Sequence, residues 1–182
     1  MYIKAERKDI IVSEGLIIRR SVPCPFNICS ILSNTALVCC SGVTKEKYSD
    51  GVTIKTKCSF DKFGAPLIVL TDDIQPDEQG KNRYGLHFEV VAYEKGCNVW
   101  HIVPFPERKE RPIKPTKIAF STFDIPEKSE IDLSVTVKNG KLEIEINGEK
   151  LIAESHDLPK EFHIGITACE GINRFSSITI EQ

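Results

Sequence analysis

The sequence predicts an all-β fold, two antiparallel sheets stacked on one core, and three observations carry that prediction. Most of the 182 residues alternate apolar and polar side chains with period two, almost none carry a helical stripe, and turn signals containing glycine separate the alternating runs. The clearest run sets Ile131, Leu133, Val135 and Val137 against Asp132, Ser134, Thr136 and Lys138, which puts every apolar side chain on one face of a half-buried strand. Asn139-Gly140 then reads as a two-residue type I′ turn. Counting back from it pairs Val137 with Leu142, Val135 with Ile144 and Leu133 with Ile146, so both strands offer apolar residues to the same side. Asn147-Gly148 makes the next turn, into Lys150-Leu151-Ile152, and Asp50-Gly51 precedes the alternating run Val52, Ile54, Cys58, Phe60.

Further strands are expected near residues 9 to 20, 36 to 40, 65 to 71, 84 to 93, 97 to 103, 116 to 122, 162 to 168 and 174 to 181. So many short strands without intervening helices indicate a sandwich or barrel. One short helix is the exception, over Pro25 to Asn34. Asp72 to Asn82 and the proline-rich Pro104 to Pro115 read as loops, neither long enough to divide the chain, so residues 1–182 are expected to form a single domain.

Composition narrows the functional classes. With 24 Lys+Arg against 26 Asp+Glu and a net charge of −2, the chain has no electrostatic footprint for nucleic acid. No apolar run approaches the roughly 20 residues of a membrane span, and the first residues lack the apolar stretch of a secretory signal, so the expected location is the cytoplasm. The seven cysteines, Cys24, Cys29, Cys39, Cys40, Cys58, Cys97 and Cys169, are odd in number and include an adjacent pair, which suits reduced thiols. Their spacing does not make a zinc knuckle, and neither a metal nor a cofactor is expected. The acidic loop Asp72, Asp73, Asp77, Glu78 lacks the spacing of a calcium loop, and the basic cluster Arg108, Lys109, Arg111, Lys114, Lys117 is interrupted by acids and prolines; both read as solvated.

Three runs carry a resemblance: Asp50 to Thr56; Phe63-Gly64-Ala65-Pro66-Leu67-Ile68-Val69-Leu70; and Tyr84 through Trp100. Together with the Ile131–Asn147 hairpin and the closing pair Phe162 to Ile180, they resemble the concanavalin A-like lectin/glucanase superfamily. That resemblance implies a jelly-roll sandwich whose concave face holds a carbohydrate. It rests on strand patterns and glycines, and carries no catalytic motif with it.

Within that frame the hairpin at residues 84 to 103 is the expected site. A three-residue loop Glu94-Lys95-Gly96, with Gly96 at positive φ, pairs Val90 with Trp100 and Ala92 with Asn98 on an apolar face. The opposite face then sets Glu89 across from His101, His87 across from Val103, and Tyr93 across from Cys97. A carboxylate directly across from an imidazole favours the protonated ring and raises the pKa of His101, unless the pair is strongly desolvated. A two-residue loop would instead shift the pairing and bring Trp100 into the cleft.

The candidate ligand-binding residues are therefore Glu89, His101, His87, Tyr93, Trp100, Tyr84 and Arg174, the last reaching in from the final strand or pairing with an acid such as Glu170. Polar side chains there offer donors and acceptors to sugar hydroxyls, and an aromatic face suits the apolar side of a sugar ring. The alternative is a solvated Glu89–His101 cross-strand pair with Trp100 in the core. Glu130-Ile131-Asp132-Leu133-Ser134 resembles the start of the glucanase signature, but Ser134 stands where the acid/base Glu belongs, and the polar side of this strand reads as a solvated face. The expected function is a lectin-like carbohydrate-binding domain whose partner is an oligosaccharide or glycoside. The alternatives are a glycoside-active enzyme that uses Glu89 with His101 or another acid, and a protein-interaction module.

Overall fold

The computed structural model describes residues 2–3, 16–19, 42–76, 82–105, 113–169 and 171–182. In chain order its strands are β1 (Tyr2–Ile3), β2 (Leu16–Arg19), β3 (Gly42–Thr44), β4 (Tyr48–Ser49), β5 (Thr53–Asp61), β6 (Ala65–Thr71), β7 (Ile74–Pro76) and β8 (Asn82–Tyr84). They continue with β9 (His87–Tyr93), β10 (Gly96–Pro104), β11 (Ile113–Thr122), β12 (Ile131–Lys138), β13 (Lys141–Ile146), β14 (Glu149–Glu154), β15 (Glu161–Cys169) and β16 (Ile172–Glu181). One sheet runs β1-β3-β15-β6-β9-β10-β11 with β4 also on β15, the other runs β14-β13-β12-β5-β16-β2, and β7 and β8 form a separate ribbon. The two-sheet expectation is met. Strand β7 lies inside the stretch Asp72 to Asn82 expected to be only a loop and β8 begins at its end, while the expected helix at Pro25 to Asn34 and the strand near 36 to 40 fall outside the described residues.

In the smaller sheet the β12–β13 hairpin follows its sequence pattern residue for residue. Leu133 pairs with Ile146, Val135 with Ile144 and Val137 with Leu142, and Asn139 and Gly140 both take positive φ, 52° and 72°, as a type I′ turn requires. Asn147 and Gly148 repeat the device at 51° and 91°. A bulge between Phe175 and Ser177 on β16 lets Phe175 and Ile178 both reach the core.

The inner face of the larger sheet completes the sandwich. Its rows across the strands are Ile164–Leu70–Phe88–His101 and Ile166–Ile68–Val90–Val99, and they pack with Phe60, Phe175, Ile54 and Leu133 of the smaller sheet in one apolar cluster. Cys58 and Cys97 sit in this cluster, where burial pushes the pKa of each thiol up to about 12, so both act as small apolar side chains. The other cysteine side chains lie outside the described residues.

His101 closes its row at the rim of the core. Its ring stacks on Phe88 with centroids 4.7 Å apart and planes 6° from parallel, and Nδ1 stands 3.7 Å from Asp157 Oδ2. Burial pulls its pKa below the ordinary imidazole value; Asp157 opposes that shift and His87 adds to it. The direction is opposite to the one expected of a Glu89–His101 pair, because His101 faces the interior and Glu89 does not.

Two outcomes follow. Truncating Ile144, which is 2% exposed between β12 and β14, costs about 2–5 kcal/mol. A loss below about 1 kcal/mol for Ile144→Ala in urea unfolding would contradict the packing described. The unfolded chain holds His101 near the ordinary value of about 6.5 and the folded chain holds it lower, so the unfolded state takes up more protons as pH falls through that region. The urea midpoint accordingly drops between about pH 7 and pH 5, and His101→Phe, which keeps the stack and removes the titrating group, flattens the drop. An identical slope in the variant refutes this role.

Candidate functional site

The β9–β10 hairpin decides what the outer face of the larger sheet presents. Its loop is Glu94-Lys95, two residues, and Gly96 pairs with Tyr93 as the first residue of β10. Gly96 does take the positive φ the sequence demands, at 125°, but as a strand residue and not as the third residue of the loop. A side chain there is impossible, since a Cβ would lie 2.1 Å from Ser121 O. The turn is also held by Phe123 N–H donating to Lys95 O at 3.3 Å and Ile125 N–H donating to Glu94 O at 2.9 Å.

The three-residue pairing is thereby corrected at every position. Trp100 lies across from Glu89, Asn98 from Val91 and Ile102 from His87, while His101 lies across from Phe88 and Val99 from Val90. Glu89 and His101 are on opposite faces. The outcome matches the two-residue alternative: Trp100 leaves the core, and Val99 takes the place beside Val90.

Following the pairings across the sheet gives the outer face three rows. One is Gly165–Val69–Glu89–Trp100–Lys117, the next Thr167–Leu67–Val91–Asn98–Phe120, and the third His163–Thr71–His87–Ile102–Pro115. A bulge on β11 at Ile118 keeps Lys117 and Phe120 on this same face. Beside the rows, the β7–β8 ribbon lays Tyr84 and Ile74 on Leu67, Val69 and Val91, with Tyr93 and half-buried Trp100 at the border of this second apolar cluster. At Gly85, where the ribbon joins β9, a Cβ would meet Asp72 Oδ1 at 2.1 Å, so a side chain there would require the Asp72 carboxylate to move.

The polar groups of this face are deeply placed. Glu89 is 1% exposed, Asn98 3% and His87 4%. His87 Nδ1 is 2.8 Å from Gly85 O; a carbonyl only accepts, so Nδ1 carries the proton and Nε2 faces Glu89 Oε1 at 3.5 Å. That separation is too long for a strong hydrogen bond. His87 Nε2, Glu89 Oε2, Asn98 Oδ1 and Trp100 Nε1 are buried without a hydrogen-bond partner. Above Trp100, exposed Lys117 places its Nζ 5.1 Å from the ring centroid, and the same Nζ is 5.6 Å from the ring of Phe120, which is 64% exposed.

Five of the seven expected residues, Glu89, His87, Tyr93, Trp100 and Tyr84, therefore gather on one side of the larger sheet, with Tyr84 edge-on to His87 at 5.4 Å. His101 does not join them. Neither does Arg174, which sits on β16 in the smaller sheet, between inward-facing Asn173 and Phe175 and hence on that sheet's outer side. Asn98 and Lys117 were not among the expected residues. The signal for Asn98 was a lone amide between Cys97 and Val99, two apolar neighbours in a strand.

Asp132 lies on the outer side of the smaller sheet, at a groove of about 320 Å³ that Ser134, Lys55 and Lys57 also help to line, and Glu130 is joined to it through Lys57. Lys57 bonds Glu130 at 2.6 Å and sits 3.4 Å from Asp132, all three side chains being about half or more exposed, as a solvated face requires. Among the described residues, no group of three or more His, Cys, Asp and Glu is placed to hold a metal ion.

No protein-family model and no curated protein sequence matches the chain. Solved structures do match. A carbohydrate binding module, CBM66 from Bacillus subtilis, superposes with a TM-score of 0.56 at 12% identity over 76% of this chain and 78% of its own. Beta-agarase A from Zobellia galactanivorans gives a TM-score of 0.55 at 13% identity over 76% of this chain and 64% of the agarase, and a cysteine-substituted alginate lyase A1-II′ gives 0.50 at 10% over 74% and 63%. At such identities the likeness is one of backbone, and it identifies the architecture built above: the chain folds as a concanavalin A-like jelly-roll sandwich.

Proposed function

We propose that the outer face of the larger sheet binds a carbohydrate, as a lectin does, with Glu89, Asn98 and His87 meeting hydroxyls and Trp100 offering its ring. One observation carries the proposal. Four polar atoms lie buried on that face without a hydrogen-bond partner, beside a half-buried tryptophan. Leaving such atoms unpaired costs about 1–3 kcal/mol each, and a ligand rich in hydroxyls recovers that cost on binding. The fold shared with a carbohydrate binding module supports the reading.

Hydrolysis is the weaker reading. A glycosidase of the usual kind needs two carboxyl groups flanking the scissile bond, and Glu89 supplies the only carboxylate in the three rows. The His87–Glu89 pair nevertheless offers an acid and a base to one bound hydroxyl, so turnover on the same glycans, lost in Glu89→Gln, would favour an enzyme.

Trp100 is the only tryptophan in the chain, so its fluorescence reports directly on this face. Titration with an oligosaccharide panel is expected to give a saturable change without turnover. Asn98→Ala should weaken the responding sugar about tenfold, and Glu89→Ala about tenfold to a hundredfold, while both variants keep the wild-type circular-dichroism spectrum. A panel that leaves the emission unchanged, or equal affinity in folded variants, overturns the assignment.

A further inference from the structure

We propose that the face selects neutral saccharides, bound through a pair of adjacent hydroxyls, and rejects sugars bearing carboxylate or sulfate groups. This inference rests on the carbohydrate reading above and adds the ligand's charge and the groups that set it. Two of the unpartnered atoms, Glu89 Oε2 and Asn98 Oδ1, are hydrogen-bond acceptors, and Trp100 Nε1 is a donor. Trp100 stands directly across from Glu89, and Asn98 lies on the diagonal, so the three groups converge on one stretch of sheet. Neighbouring hydroxyls satisfy this set, since each O–H donates to one acceptor while an oxygen accepts from the indole. A carboxylate or sulfate supplies only acceptors and leaves Oε2 and Oδ1 unmatched.

Charge points the same way. Glu89 is 1% exposed, so its field is poorly screened, and an anion brought beside it meets like charge in a medium of low polarity. His87 Nε2 stands 3.5 Å from Oε1, while Oε2 is buried without a hydrogen-bond partner. Lys117 is the only lysine or arginine in the three rows. Its ammonium is solvent-exposed and rests over the Trp100 and Phe120 rings, where water and salt screen it.

The test is a Trp100 fluorescence titration of the whole chain with tetrasaccharides of neutral hexoses and with mannuronate and guluronate tetrasaccharides of equal length. At least one neutral probe is expected to saturate, and the uronates to bind at least about tenfold more weakly. Glu89→Gln keeps an acceptor and removes the charge, so the gap should narrow severalfold. A wild-type control guards against a variant that does not fold: affinity for the neutral probe should stay constant between about 0.05 M and 0.5 M NaCl, because an uncharged ligand releases no screening energy. Uronates binding as well as or better than neutral sugars, a gap unchanged in folded Glu89→Gln, or a large salt dependence for the neutral probe each overturns the selectivity while leaving carbohydrate binding standing. Silence from every probe overturns the carbohydrate reading itself.

Discussion

A single step of strand pairing between β9 and β10 determines the chemistry of the larger sheet. Because side chains alternate, moving the register by one residue exchanges every partner between core and surface. With Gly96 paired to Tyr93, Val99 and Cys97 fill the interior, and Trp100 and Asn98 stand beside Glu89. The choice is enforced from outside the hairpin. The chain leaving β11 donates two backbone hydrogen bonds to the turn and brings Ser121 O so near Gly96 that only glycine fits. The site is thus positioned by residues 121–125, which contribute no side chain to it.

The outer face is held in place at a cost that the rest of the fold covers. A carboxylate, an amide oxygen and an indole N–H buried without full hydrogen bonding are each unfavourable. The same strands, on their other face, bury Phe88, Val90 and Val99 at 0% exposure against the smaller sheet, and that apolar contact is what keeps them fixed. On the proposed reading, groups that cannot rearrange to satisfy one another are what a ligand would pair with, and their fixed placement would keep the loss of conformational freedom on binding small.

Legibility in the sequence followed burial. The β12–β13 hairpin was readable to the residue because only one of its faces is buried: the pattern on β13 alternates strictly between exposed Lys141, Glu143, Glu145 and buried Leu142, Ile144, Ile146. The β9–β10 hairpin was not, because both of its faces are buried and apolar residues occur on each, so hydrophobicity no longer marks a side. Glu89, His87, Tyr93, Trp100 and Tyr84 could therefore be placed near one another while their cross-strand partners could not, and His101 was assigned to the wrong face for that reason. Lys117 was hidden differently. Its place beside Trp100 depends on a bulge at Ile118 that no turn residue announces.

The same contrast separates the two polar surfaces of the sandwich. On the smaller sheet, Lys55 bonds Glu181 at 2.7 Å, Lys57 bonds Glu130 at 2.6 Å and Lys141 lies 2.6 Å from Glu154, with every side chain about half exposed. Those charges are paired with one another and bathed in water, and such pairs contribute little to stability and leave nothing for a ligand to satisfy. On the larger sheet the polar groups are fewer and buried, and several are unmatched. A glucanase-like run of acids on the first surface therefore carries less chemistry than one glutamate and one asparagine on the second, because what a ligand can gain depends on what the protein has left unpaired.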